Sequence, residues 1–187
     1  MTTALLVMDM QNGIVERFAE RSASLLATLA QTVAVARSAS IPVLFVRVAF
    51  RDGAPEANAR NQPFSTLAKS DTMSENSPAT QIHPGVAPLA GEIMITKRRV
   101  SAFSGSDLDV VARSLGVDAL VLSGIATSGV VLSTLRQAAD LDFKITVLSD
   151  GCADADPEVH PVLMEKVFPR QATVMTADEW ARHVRGA

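Results

Sequence analysis

The sequence predicts an α/β protein built as a three-layer, doubly wound sheet of about six parallel strands, in one domain spanning residues 1–187. Two observations lead there. Short β-branched runs alternate with longer stretches of helical periodicity, as repeated βαβ units require. The runs are also almost continuously apolar, the pattern of strands covered by helices on both faces. No internal repeat or low-complexity tract divides the 187 residues, a length that a single core can serve.

The elements follow in order. The first strand is Thr3 to Met10, entered with no basic leader and no long apolar span. Leu25, Leu26, Leu29, Val33 and Ala36 then recur at helical spacing, and Ser22 or Ser24 is the expected N-cap of this crossover helix. Pro42 to Phe50 is the second strand. Arg51 to Gln81, rich in Asn, Ser, Pro and Ala, carries no pattern and is too long for an ordinary connection, so a lid or interface loop is expected there. Ile93 to Lys97 is the third strand, and the helix Asp107 to Leu115 is closed by Gly116 at C′. Ala119 to Ile125 leads into a helical stretch from Thr127 to Asp140. After Lys144 to Asp150, Asp156 and Pro157 suit the N-cap and first position of a helix reaching Phe168. Ala172 to Thr176 is the last strand, with Thr176 capping a helix from about Ala177 to Val184.

Charge and cysteine content exclude several function classes. The net charge is −3, and the 17 Lys and Arg are scattered, so the basic footprint of a nucleic-acid binder is missing. No membrane association is expected. The single cysteine, Cys152, excludes an internal disulfide framework and a multi-cysteine metal site, in keeping with a reducing, cytoplasmic setting.

Ligands of open α/β sheets bind beyond the carboxyl ends of the strands. Strand one ends in Asp9-Met-Gln11-Asn12, strand three in Lys97-Arg98-Arg99, and strand four in Gly124-Ile-Ala-Thr127-Ser-Gly129. Asp9 follows an apolar run and is expected to be at least half buried, where a carboxylate needs a cation; Lys97 is the candidate. The same pair also reads as a buried ion pair that orders strand ends. The glycine-rich turn reads either as an anion cradle at a helix start or as a packing device. Arg98 and Arg99 offer guanidinium groups for a substrate carboxylate, or face solvent. Cys152 reads as a small apolar packer. His83, in a loop capping a short turn, and His160, in a helix with acidic neighbours, read as structural or solvated, and His183 sits on the final surface helix. For Phe64 and Trp180 a core or interface position is the better reading.

Four segments in register resemble the isochorismatase-like hydrolases, also called cysteine hydrolases. They are Leu6-Val-Met-Asp9-Met-Gln11-Asn12, Lys97-Arg-Arg-Val-Ser101-Ala-Phe103-Ser-Gly105-Ser-Asp107-Leu108, Gly124-Ile-Ala-Thr-Ser-Gly-Val130-Val131, and Ser149-Asp150-Gly-Cys-Ala-Asp154. The resemblance implies the Rossmann-like fold of that family, with Asp9 as catalytic carboxylate and Lys97 as its partner. It implies a cis peptide at Ile125-Ala126 and an oxyanion hole in the amides of Ala126 and Val130. It puts Val130 where the family has its nucleophilic cysteine. Gln11, Arg98, Phe103 and Thr127 are the expected substrate contacts. Zinc is not expected, because residues 51–81 lack the histidines that nicotinamidase-like relatives carry, and no other cofactor is implied. The family's habit implies a homodimer or larger homo-oligomer. Two functions stay open: a cysteine-independent hydrolase of a vinyl ether, amide or ester-like bond in a small molecule, or an inactive binder that keeps the fold. Valine in place of the siderophore-pathway enzymes' glycine implies a smaller, drier pocket.

Overall fold

A computed structural model describes residues 2–186, so the outermost residues of the expected 1–187 domain lie outside it. The strands are β1 (Thr2–Met8), β2 (Val43–Val48), β3 (Ile93–Lys97), β4 (Val117–Ile125), β5 (Lys144–Ala153) and β6 (Thr173–Met175). They form one six-stranded sheet in the order β3-β2-β1-β4-β5-β6, and every neighbouring pair is parallel. The chain winds outward from β1 to β3, then returns to the other side of β1. The order therefore reverses between β1 and β4, where doubly wound sheets open a crevice for ligands.

The helices are α1 (Asn12–Val15), α2 (Ala19–Ser38), α3 (Gln62–Leu67), α4 (Leu108–Ser114), α5 (Leu132–Asp140), α6 (Val159–Val162) and α7 (Ala177–Gly186). Alternate residues of β1 face opposite layers, as strand geometry dictates. Leu6 and Met8 join Leu108 of α4 and Leu135 of α5. Leu5 and Val7 join Leu25, Leu29 and Val33 of α2 and Trp180 of α7. Among the described residues no helix is long and apolar enough to cross a membrane.

Several element starts differ from the sequence reading, each for a local reason. Ser22 and Ser24 do not cap α2, because the helix begins at Ala19 and has Phe18 at its N-cap without a side-chain hydrogen bond. The turn Glu16–Phe18 leads straight from α1 into α2, so helical carbonyls already precede the first amides. Asp156 and Pro157 do not open α6 either. The Asp156 carboxylate accepts from Glu158 N at 2.8 Å, closing a turn, and the regular helix starts at Val159. Gly116, with φ +65°, does close α4. At α7, Thr176 Oγ1 accepts from Glu179 N at 3.2 Å while Glu179 accepts from Thr176 N at 2.8 Å, a reciprocal capping box. The segment 51–81 is not wholly irregular: α3 forms within it, with Asn61 at the N-cap and Pro63 in the first turn.

Candidate active site

Where β1 ends, the chain turns at Asp9, whose φ of +56° lies in the left-handed region that Asp and Asn tolerate better than other side-chain-bearing residues. Beside it, Gly124 has φ +127°, and a Cβ there would stand 1.9 Å from Met8 O. Only glycine lets β4 approach β1 so closely. The next peptide, Ile125-Ala126, is cis. The chain then enters a π-helical turn, Thr127–Val131, that continues into α5. Ala126 O accepts from Gly129 N at 3.1 Å and Val131 N at 3.3 Å. From the end of β5, the Asp154 carboxylate accepts from Ser128 N at 2.6 Å. From α6, His160 Nδ1 lies 2.8 Å from Thr127 Oγ1. Two outside groups thus hold the turn's first residues in place.

Lys97 comes from the end of β3, two positions away in the sheet. Its ammonium lies 2.9 Å from Asp9 Oδ2 and donates to Arg99 O at 3.0 Å, with 2% of its side chain exposed. Burial pushes the Asp9 carboxyl above its ordinary range, while the charge and hydrogen bond of Lys97 pull it partly back. The other carboxylate oxygen, Oδ1, is buried and has no hydrogen-bond partner among the described residues.

A cavity of about 310 Å³ opens over this pair, within the size range of small-molecule sites. Asp9, Lys97, Ile125, Ala126, Gly129 and Val130 contribute to its lining, as do Ile14, Arg17 and Phe18 from the stretch after β1. Pro63, Phe64, Leu67 and Met73 of the 51–81 segment also line it. Recesses of about 530 and 360 Å³ elsewhere do not include the Asp9–Lys97 pair.

The other expected residues divide. Gln11 reaches the cavity, but its amide is committed to the main chain: Nε2 donates to Val48 O at 2.9 Å and Thr80 O at 3.0 Å, and Oε1 accepts from Val48 N at 2.8 Å. It fixes the wall. Arg98, Phe103 and Thr127 do not line the cavity. Arg98 binds Ala49 O and the carboxylates of Glu56 and Glu75, holding the 51–81 segment against the end of β3. Phe103 packs in the core, its ring 5.8 Å from that of Phe143. Thr127 is fully buried, with its hydroxyl on His160. Cys152 is buried and absent from the cavity lining, and burial pushes its thiol up to about 12. Arg17 and Asp154 were given no role by sequence. Asp154 carried a signal, lying one residue past β5 in the segment Ser149–Asp154 that resembles the family; Arg17 carried none, since it is the turn Glu16–Phe18 continuing from α1 that brings it to helical spacing with Ile14 and Phe18.

Fold and site together define a class: an α/β protein with a buried carboxylate–ammonium pair and a helix-opening turn flanking a small-molecule cavity at the switch point of the sheet. The family model described as the isochorismatase domain matches residues 3–179. The chain is 34% identical over 182 residues to the uncharacterized isochorismatase family protein YecD of Escherichia coli, covering 95% of this chain and 94% of that one. It is 31% identical over 177 residues to the ureidoacrylate amidohydrolase RutB of Stutzerimonas stutzeri, covering 83% and 71%. The crystal structure of a cysteine hydrolase from Pseudomonas syringae pv. phaseolicola shares the fold, with a TM-score of 0.90 at 21% identity over 98% of this chain and 92% of that one. This chain belongs to the isochorismatase family of hydrolases.

Proposed function

We propose that the chain hydrolyses an amide-like bond in a small molecule without a cysteine nucleophile, using Asp9 to move the proton. The observation that carries this reading is the divided carboxylate. Asp9 contributes to the cavity lining; its Oδ2 is held by Lys97 at 2.9 Å, while its buried Oδ1 has no partner among the described residues. A buried acceptor left without a partner is costly, and a substrate water supplies the missing donor.

In this reading Val130 occupies the position of the family's cysteine, so water replaces the thiol. Asp9, as carboxylate, takes a proton from that water as its oxygen bonds to the carbonyl carbon. The carbonyl oxygen, now an anion, rests on the amides of Ala126 and Val130. The C–N bond then breaks as Asp9 returns the proton to the departing nitrogen. A carboxyl raised by burial and steadied by an ammonium suits both halves of the shuttle. The amidohydrolase among the relatives supports the amide class.

A second reading, a binder that retains the fold, is favoured by the valine itself, whose branched side chain lines the cavity. Turnover of a panel of ureido acids, primary amides, esters and vinyl ethers separates the two. At least one substrate is expected to react, with Asp9→Asn slowing it by about 10²- to 10⁴-fold at unchanged circular dichroism. An Asp9→Asn protein with full activity refutes the proton-shuttle mechanism. Binding of panel members with no turnover establishes the binder.

A further inference from the structure

We propose that Arg17 selects small apolar molecules bearing a carboxylate at the end remote from the bond that reacts. The location of the reacting bond rests on the hydrolase reading above; the anion preference is a property of binding alone.

The charged groups lining the cavity are Asp9, Lys97 and Arg17. Asp9 and Lys97 are buried and paired with each other, so they neutralise one another. Arg17 is exposed, on the turn Glu16–Phe18, and its guanidinium has no hydrogen-bond or ion-pair partner among the described residues. Ile14, Arg17 and Phe18 follow the helical i, i+3, i+4 spacing, and all three line the cavity.

The nearby arginines are differently employed. Arg47 binds Thr96 Oγ1 at 3.1 Å, Glu75 O at 3.1 Å and Gln81 Oε1 at 3.2 Å. Arg98 is held by Glu56, Glu75 and Ala49 O. Arg99 binds Glu56 O at 2.8 Å and lies 5.7 Å from the centre of the Phe64 ring. Arg17 keeps its planar fork of donors for a ligand, and that fork matches a carboxylate. Phe18, Phe64, Leu67, Met73 and Val100 supply apolar wall for the body of the molecule, and about 310 Å³ keeps it small.

Calorimetric titration with 3-phenylpropionate and its neutral isostere 3-phenylpropionamide tests this on the intact chain. The wild type is expected to bind the carboxylate about 10- to 100-fold more tightly than the amide, the range of a hydrogen bond to a charged group. In Arg17→Met the preference should fall to about twofold or less while amide binding is unchanged. Arg17 is exposed, so the variant should fold as the wild type does. Equal affinities in the wild type, failure of the carboxylate to bind, or a preference that survives Arg17→Met overturns the proposal. None of these outcomes depends on turnover. A chain that hydrolyses nothing yet shows the Arg17-dependent preference refutes only the hydrolase reading, and an active hydrolase without that preference refutes only this one.

Discussion

Lys97 Nζ sits 2.9 Å from Asp9 Oδ2 although β2 separates the strands that carry the two residues. The lysine stem therefore passes over the carboxyl end of β2 to reach the crevice beside β4. Taking both charges out of water costs several kcal/mol per ion, so such a pair is weak evidence for a stability role and better evidence for a specific one.

Breaking the pair from one side is expected to be destabilising. Lys97→Met leaves the carboxylate buried without its cation and should lower the unfolding free energy at pH 7 by about 3–5 kcal/mol. Asp9→Asn combined with Lys97→Met removes both charges, keeps a side chain that accepts the φ of +56°, and should recover most of that loss. The sign with pH follows from burial. A carboxyl raised above its ordinary 3.8 favours the folded state most at pH below that value and loses this contribution as pH rises through its folded pKa. The Lys97→Met deficit should therefore shrink in acid. Denaturant titrations at several pH values measure it, and a double variant as unstable as the single one would show that the pair is not coupled.

Val130→Cys tests whether the turn retains the geometry of a thiol enzyme. The residue lies in the helical turn that opens α5 and lines the cavity, and a thiol at a helix start is lowered in pKa and made more nucleophilic. The variant should hydrolyse an activated ester, pass through an acyl adduct visible by mass spectrometry, and lose this activity to iodoacetamide. No adduct and no burst would mean that the amides of Ala126 and Val130 do not act as an oxyanion hole.

The sheet and the pairing of Asp9 with Lys97 were legible because both follow from local rules. Continuous apolar runs that end in polar residues mark parallel strands and their carboxyl ends, and a carboxylate straight after Leu5–Met8 demands a cation, which picked out Lys97. The direction in which neighbouring side chains point was not legible. Phe103 turns into the core against Phe143, Thr127 points to His160, and Arg98 reaches back to Glu56 and Glu75. All three stand beside site residues in sequence, but adjacency along a chain that is changing direction does not fix a face. Segment 51–81 lacked a pattern for a related reason. Its order comes from distant partners, Arg47, Arg98 and Arg99, and periodicity cannot register contacts made by another strand.

Those arginines tether the 51–81 segment to the sheet. Arg98→Ala removes the contacts to Glu56, Glu75 and Ala49 O at once, and buried hydrogen bonds to charged groups contribute about 1.5–3 kcal/mol each net of the water they displace. Amide hydrogen exchange across residues 51–81 should accelerate while the core strands keep their protection. Arg98→Lys should rescue little, because an ammonium cannot span several acceptors as the planar fork does. Uniform acceleration across the whole chain would instead assign Arg98 a global stabilising role.

Cys152 offers the sharpest separation between a reactive thiol and a packing one. It lies on β5 beside Gly124, buried, with its thiol pushed up to about 12 chiefly by burial and further by Asp150. At pH 8 the thiolate fraction is therefore about one in ten thousand. The native protein should not react with a disulfide reagent at that pH on a timescale of minutes, and the unfolded chain should react at once. Alkylation should become measurable only as pH climbs toward the region where the thiol ionises. Cys152→Ala should leave ligand binding and any turnover within about twofold, because the side chain is not part of the cavity lining, while lowering stability by about 1 kcal/mol for the lost packing. Rapid labelling of the native protein at pH 8, or loss of turnover in Cys152→Ala, would return Cys152 to consideration as the nucleophile and remove the need for Asp9 to activate water.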